Sequence, residues 1–214
     1  MRIAIVGTGR MGRALAKSLS QGHEVILGSR DPLRAQHISK QIGLSGWGDY
    51  RRVIDDCPLA VLAVPYGELL RIVPLMGDVS GKILLDISNP HEGTQDTFDK
   101  SLSMAEQLQC VATSAYVVKG WNHFSASFFE SPPIVNGRLA ALVCGDSSFA
   151  KHVVMRVAQS MNLEAFDIGR LDKSLHLELL AGLMMSMCKR DARLEPASFS
   201  GEPGYLSLFA YAKP

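Results

Sequence analysis

Short apolar runs alternate along this chain with longer segments in which apolar residues recur every three or four positions. Unbroken apolar runs are typical of strands buried on both faces of a parallel sheet, and the longer spacing is typical of amphipathic helices. The runs predict strands at 2–7, 23–27, 59–64, 82–87, 111–119, 139–144 and 164–168. The spacing predicts helices at 11–19, 32–42, 49–56, 68–76, 101–108, 147–161 and 171–189. This alternation predicts an α/β fold: a Rossmann-type, doubly wound, mainly parallel sheet with a small C-terminal helical extension.

The first predicted strand leads directly into a glycine-rich turn that opens the first predicted helix, Gly7-Thr8-Gly9-Arg10-Met11-Gly12. A G-x-G-x-x-G motif between a strand and a helix is typical of dinucleotide-binding proteins. Its glycines permit a tight turn, a close approach of the pyrophosphate to the backbone, and close packing of helix on strand. The amides at the helix start then face the phosphates. The alternative is a glycine turn that only packs.

The end of the second predicted strand favours NADP(H) over NAD(H). An NAD site typically has an acidic residue there, about twenty residues after the glycine motif, which binds the ribose 2′-hydroxyl. This chain instead has Ser29 and Arg30, followed one helical turn later by Arg34. Guanidinium groups donate a planar fork of hydrogen bonds to phosphate oxygens. We therefore predict that these three residues bind the 2′-phosphate; two ordinary surface arginines are the alternative.

The ends of two later strands extend the predicted cofactor site, because ligands of doubly wound sheets lie at the carboxyl ends of the strands. Val64, Pro65 and Tyr66 are predicted to line the ribose and nicotinamide side. Asn89 is predicted to lie nearby, although Asn89-Pro90 is equally typical of a plain turn.

Composition narrows the class of protein further. The chain has 214 residues, of which 47% are hydrophobic and 20% charged, with a formal net charge of +1. These values predict one domain over 1–214. The dinucleotide motifs lie within 1–120, so we expect that part to be the dinucleotide-binding core and 121–214 to be the acceptor-side and dimerisation region. The near-neutral charge gives no reason to expect nucleic acid or an anionic membrane surface as a partner.

The apolar runs are too short to span a bilayer, and the first strand leaves no room for a signal peptide. Four widely spaced cysteines form no metal-binding pattern and predict a reduced, cytoplasmic protein without a metal. The stretch 177–188 is apolar almost all round, which predicts a buried helix at a homodimer interface. The tail has a strand-like stretch at 205–211, and covering the active site, exchange with a partner and simple packing all remain open.

Five stretches, in this order, resemble the NADPH-dependent deazaflavin (coenzyme F420) reductase family and the cytosolic reductase domain of the STEAP metalloreductases, which belongs to the same group. They are 7–12, 28–32, 81–89, 117–122 and 143–146. The resemblance implies hydride transfer between NADP(H) and a flavin or deazaflavin stacked on the nicotinamide. Catalysis would then rest on proximity and orientation, with the redox chemistry supplied by the cofactors.

By the same resemblance, Thr8 and the stretch 122–124 would line the nicotinamide, and residues 29, 30 and 34 would hold the 2′-phosphate. His123 and Asn122 are the candidate catalytic residues. His123 could bond a carbonyl of a small-molecule acceptor or pass a proton, because histidine titrates near neutrality. A loop histidine without a chemical role is the alternative.

Two other functions remain open from the sequence. One is NADPH-dependent reduction of a small C=N or C=C substrate, as the related pyrroline-carboxylate reductases perform. The other is a non-enzymatic NADP(H)-binding redox sensor, which would bind the nucleotide without turnover.

Overall fold

Strands and helices alternate through residues 1–90, 101–131, 138–190 and 210–211, which the computed structural model describes. The strands are β1 (Arg2–Val6), β2 (Glu24–Gly28), β3 (Gly46–Gly48), β4 (Leu59–Leu62), β5 (Ile83–Asp86), β6 (Tyr116–Gly120), β7 (Arg138–Gly145), β8 (Glu164–Asp167) and β9 (Ala210–Tyr211). The helices are α1 (Arg10–Leu19), α2 (Pro32–Gln41), α3 (Tyr50–Asp56), α4 (Leu69–Ile72), α5 (Met104–Val111), α6 (Ala126–Glu130), α7 (Ser148–Ser160) and α8 (Ser174–Arg190).

The sheet has the strand order β3-β2-β1-β4-β5-β6-β7-β8, and β9 pairs with β7. Strands β1 to β6 are parallel, β7 is antiparallel to β6, and β8 is parallel to β7. The order reverses at β1, which lies between β2 and β4. A doubly wound sheet opens a binding crevice at this switch point, beyond the carboxyl ends of the strands. The predicted fold class is confirmed.

The sheet is buried on both faces because successive side chains of each strand point in opposite directions. Ile3 and Ile5 of β1 belong to one apolar cluster, which also includes residues of α1 and α7. Ala4 and Val6 belong to a second cluster, which includes residues of α3 and α5. All four side chains have 0% exposure. This two-sided burial explains why β1 appears in the sequence as an unbroken apolar run.

Two element predictions need correction. The helix predicted at 68–76 is only α4, with one 3-10 turn before it and another, Val73–Leu75, after it. Pro74 lies in that second turn, and a proline has no amide with which to continue an α-helical ladder. The strand predicted at 111–119 begins only at Tyr116, because α5 continues through Val111.

Helix α8 differs in part from the prediction that it is buried all round. Leu177 and Ala181 are 2% and 3% exposed, whereas Leu179 and Leu183 are 64% and 60% exposed. The helix contacts α5 and β6 with one side. Its other side therefore presents large apolar side chains at the surface of the single chain. Of the predicted strand at 205–211, the pair Ala210–Tyr211 forms β9, and 205–209 lie outside the described residues.

Candidate active site

The glycine loop lies at the switch point, between the ends of β1 and β4. Gly7 has a φ of +122°, which side chains rarely tolerate, and a Cβ there would lie 2.3 Å from the carbonyl oxygen of Ala63. A Cβ on Gly12 would lie 2.1 Å from the carbonyl oxygen of Gly7. Both glycines are therefore required by backbone-to-backbone packing, which holds the start of α1 against the two strands.

The start of α1 is suited to an anion. Helices α2, α3, α5, α6 and α7 each begin after a residue whose side chain accepts a hydrogen bond from a backbone amide: Asp31, Asp49, Ser103, Ser125 and Ser147. Helix α1 begins after Gly9, which has no side chain to cap it. A Cβ on Gly9 would meet no atom of the described residues within 4 Å. The first amides of α1 therefore adjoin open space, where a pyrophosphate fits.

We expect Gly9→Ala to reduce nucleotide affinity and Gly12→Ala to reduce the stability of the fold. Gly12→Ala forces a Cβ into a carbonyl oxygen and should lower the free energy of unfolding by about 2 kcal/mol or more. Gly9→Ala has room for its methyl group, so it should leave stability within about 1 kcal/mol while weakening NADPH binding. Urea unfolding and nucleotide titration measure the two effects. Loss of stability in Gly9→Ala matching that in Gly12→Ala would contradict this division.

The residues predicted to hold the 2′-phosphate lie beside this loop. The Nε of Arg34 donates to Thr8 Oγ1 at 3.1 Å, which directs the guanidinium back to the glycine loop. Ser29 Oγ accepts from the amide of Asp31 at 3.2 Å. The Arg30 side chain is 67% exposed, and its Nη1 lies 3.5 Å from Glu68 Oε2. The guanidinium of Arg30 therefore remains largely accessible, so this set fits a phosphate group.

Arg10, which we predicted to bind the cofactor, makes a bidentate ion pair with Glu130 of α6. Its Nε and Nη2 lie 3.0 and 2.7 Å from the carboxylate oxygens. This pair, 120 residues apart in the chain, joins the glycine loop to α6. Met11 packs against the apolar cluster that includes α1. Val64 is half-buried and Pro65 is exposed at the end of β4.

Tyr66, also predicted to line the cofactor site, turns its phenol toward a buried ionic cluster. Its hydroxyl donates to Glu178 Oε2 at 3.2 Å. Glu178 Oε1 lies 3.2 Å from Lys119 Nζ, which lies 2.8 Å from Asp86 Oδ2. Burial raises the pKa of Glu178, an effect that Lys119 partly opposes. Burial also raises the pKa of Tyr66, so the phenol remains a donor.

Sequence reasoning missed this cluster as a unit. A signal was present, because Asp86 lies within one predicted buried strand and Lys119 ends another, and buried charges are normally paired. The sequence did not show which residues pair with them.

The structure brings the two predicted asparagines together. Asn122 Nδ2 donates to Asn89 Oδ1 at 2.8 Å and to the carbonyl oxygen of Leu177 at 2.8 Å. Asn89 Nδ2 donates in return to the carbonyl oxygen of Asn122. Asn122 is only 3% exposed, whereas Asn89 is half-buried. Asn89 is thus the more exposed of the two, and it follows the carboxyl end of β5.

His123 lies in an apolar setting next to these residues. Its Nε2 is 2.9 Å from the carbonyl oxygen of Ala140 and must carry the proton, because a carbonyl can only accept. Its ring centroid is 4.3 Å from that of Phe124. Burial lowers the pKa of His123 to about 4. This environment favours a neutral hydrogen-bonding role over the passing of a proton.

The imidazole of His123 is therefore expected to stay neutral from about pH 5 to pH 8. The folded protein binds this proton less tightly than the unfolded chain, in which the pKa is about 6.5. The contribution of His123 to stability is thus complete above about pH 6.5 and is lost as pH falls toward about 4. Chemical shifts of the ring carbons measure the titration. A midpoint between about pH 6 and 7 would contradict this.

Within the described residues, no group of three His, Cys, Asp or Glu side chains is arranged to hold a metal ion. No helix of that part of the chain has the length and apolar character needed to cross a membrane.

The glycine loop at the switch point, the uncapped start of α1 and the arginines Arg30 and Arg34 are features expected of a Rossmann fold that binds NADP, and the chain is similar to NADP-dependent oxidoreductases. Residues 2–90 match the sequence model of the family described as NADP oxidoreductase, coenzyme F420-dependent. The chain is 27% identical over 212 residues to the F420-dependent NADP reductase of Methanocaldococcus jannaschii, covering 87% of this chain and 92% of that protein. The predicted resemblance to these reductases is confirmed.

The chain is also 29% identical over 180 residues to metalloreductase STEAP3 of Rattus norvegicus. That match covers 84% of this chain and 36% of STEAP3, so this chain spans about a third of the STEAP relative.

Solved structures share the architecture. One from Arthrobacter sp. FB24, described as a candidate F420-dependent NADP reductase, superposes with a TM-score of 0.79 at 27% identity, covering 89% of this chain and 94% of that one. An imine reductase of Streptomyces aurantiacus superposes with a TM-score of 0.65 at 18% identity, covering 87% of this chain and 61% of that one. The second match shows a common fold alone.

Proposed function

We propose that this protein transfers a hydride between NADP(H) and a flavin or deazaflavin acceptor of the F420 type. The observation that carries the proposal is a sequence similarity spanning 92% of an F420-dependent NADP reductase. The imine reductase match covers a smaller share of its protein, 61%, at lower identity. The deazaflavin or flavin is therefore preferred over a small C=N substrate.

The chain's own residues supply binding and orientation. The amides at the start of α1 would hold the pyrophosphate, and Arg30 and Arg34 would hold the 2′-phosphate. Asn89, at the exit of β5, would face the nicotinamide half. The nicotinamide supplies the hydride, so the protein need only hold the two rings close together and exclude competing reactions.

The acceptor would bind on the side formed by residues from 121 onward. Phe128 is partly exposed in that region and forms an aromatic group with the buried rings of Phe124 and Phe129, with ring centroids 4.7 to 5.7 Å apart. The Arg10–Glu130 pair ties this aromatic group, through α6, to the glycine loop. A flat conjugated acceptor is suited to aromatic walls, which stack with it.

The test is NADPH consumption by the purified protein with F420, FMN, FAD, a cyclic imine or no acceptor, in parallel. Rapid oxidation with F420 or a flavin would support the proposal and name the acceptor. Rapid oxidation with the imine alone would replace it with small-substrate reduction. Tight NADPH binding without turnover on any acceptor would favour the redox sensor.

We further propose that the protein forms a homodimer through the exposed side of α8. Leu179 and Leu183 expose 64% and 60% of their surface there, and exposed apolar patches typically mark interfaces. Replacing both with lysine is expected to convert a dimer into a monomer in light scattering. Leu33→Lys is the matched control, because Leu33 is 74% exposed on α2. A wild-type protein that is monomeric would contradict the proposal.

A further inference from the structure

A largely buried ring of hydrogen bonds, one ion pair and two backbone links connects α8 to the ends of β5 and β6. Lys119 Nζ contacts Glu178 Oε1 at 3.2 Å and donates to the carbonyl oxygen of Ser88 at 2.6 Å. Ser88 precedes Asn89, which pairs with Asn122. Asn122 donates to the carbonyl oxygen of Leu177, the residue before Glu178. We call this the Glu178 ring; its members are Leu177, Glu178, Lys119, Ser88, Asn89 and Asn122.

Asn89 is more exposed than the other members of the Glu178 ring. Lys119 is 0% exposed, and Asn122 and Glu178 are each 3% exposed. Asn89 is half-buried and follows the carboxyl end of β5, the edge of the sheet at which doubly wound folds bind their ligands. Asn89 is thus held in place by side chains that are themselves shielded from solvent.

The donors around Glu178 suit its ionised form. The carboxylate accepts from the amide of Met104 at 3.0 Å and from the Tyr66 hydroxyl at 3.2 Å, and it faces the Lys119 ammonium. Asp86, from β5, is the other charged group at this ammonium. Lys119 therefore meets three acceptors, Asp86, the Ser88 carbonyl and Glu178, which match its three N–H donors.

Stability alone does not explain this arrangement. The desolvation of buried charges offsets much of their attraction, and apolar residues of similar size often hold a fold as well or better. The charged groups of this network are each held by several partners, whereas Ser88 Oγ and Asn122 Oδ1 make no hydrogen bond among the described residues. Buried charges held by several partners are suited to fixing one geometry. The residue whose geometry they fix at this edge of the sheet is Asn89.

We propose that Glu178 and Lys119 are positioning residues that hold Asn89 in place for the nicotinamide half of NADP(H). This inference rests on the proposed function, which places Asn89 beside the nicotinamide. Neither residue touches the cofactor; both act through Ser88, Asn89 and Asn122.

The test compares binding of NADPH with binding of adenosine 2′,5′-bisphosphate, which has the 2′-phosphate but no nicotinamide. Glu178→Met keeps a similar length and volume but removes the acceptors. It is expected to weaken NADPH binding about tenfold, equivalent to about 1.4 kcal/mol. The affinity for the bisphosphate should stay within about twofold. Glu178→Gln keeps an acceptor for Met104 and Lys119, so its loss should be smaller than that of Glu178→Met.

The control is Ser147→Ala, which removes the cap of α7 and lowers stability without changing the ring. It should leave the ratio of the two affinities unchanged. An equal loss of both ligands in Glu178→Met, or a changed ratio in Ser147→Ala, would overturn the inference. If Glu178→Met does not fold, the ratio in Glu178→Gln decides: an unchanged ratio overturns the inference.

The binding ratio is independent of turnover and so separates the two proposals. If the ratio shifts but no acceptor is reduced, the proposed function fails and the positioning role stands. If an acceptor is reduced but the ratio does not shift, the positioning role alone fails. Absence of binding for both ligands would overturn both.

Discussion

Replacing Arg30 and Arg34 together with alanine is expected to weaken NADPH binding about 100- to 1,000-fold, while NADH binding changes less than about threefold. The physical reason is that hydrogen bonds to charged groups contribute about 1.5–3 kcal/mol each. Arg34 is held at the glycine loop by Thr8, and Arg30 is largely exposed beside it. NADH lacks the 2′-phosphate, so removing these arginines removes no hydrogen bond to it. Fluorescence titration of both nucleotides measures the effect.

The matched control for this pair is Arg156→Ala. Arg156 is exposed on α7, and its one side-chain hydrogen bond among those described goes to Gln159 within the same helix. Its removal changes the net charge without touching the crevice, so both affinities should be unchanged. Equal losses for NADPH and NADH in the double variant would show that the arginines do not bind the 2′-phosphate.

Lys119→Met is expected to lower the free energy of unfolding by about 3 to 5 kcal/mol, which is the typical cost of leaving buried charges without their partner. Lys119 is 0% exposed, and its ammonium faces both Asp86 and Glu178. Without it, two carboxylates would remain in an apolar interior with no cation between them. For a chain of this size, the melting temperature should fall by about 10 °C.

Lys151→Met is the control for this effect, because it makes the same substitution at a lysine whose carboxylate partner is accessible to water. Lys151 contacts Asp167 at 2.7 Å, but the Asp167 side chain is 42% exposed. Its carboxylate therefore stays hydrated in the variant, and the loss should be nearer 1 kcal/mol. Calorimetry of both variants provides the comparison. A similar loss of unfolding free energy in the two variants would show that burial of the Lys119 cluster does not increase the cost.

The geometry of the glycine loop in the candidate site could be predicted from the sequence because its signals are local. The glycine motif, the strand before it and the helix after it lie within one βα unit, and their spacing alone indicates the turn. Ser29, Arg30 and Arg34 are likewise fixed by their position after β2. In the structure, Arg34 donates a hydrogen bond to Thr8. The segment after β2 and the glycine motif therefore lie side by side, as a shared site requires.

The contacts among the buried polar residues of the candidate site could not be predicted in the same way. The sequence pointed to Asn89 and Tyr66 separately, from their positions after predicted strands, and to Asn122 through the family resemblance. Their partners lie far away along the chain: Tyr66 meets Glu178 at a separation of 112 residues, and Asn122 meets Leu177 at 55. Periodicity indicates that a residue is buried, but it contains no information about which distant residue it meets.

The sequence by itself determined the alternation of strands and helices, the glycine turn between β1 and α1, and the positions of the arginines that follow β2. Each depends on residues close together in the chain, where spacing fixes geometry. Only the tertiary structure decided that Glu178 of α8 joins Lys119 and Tyr66, and that α8 buries one side and exposes the other. Those outcomes depend on how distant elements pack. An apolar helix looks the same in sequence whether it lies against a sheet or at a surface.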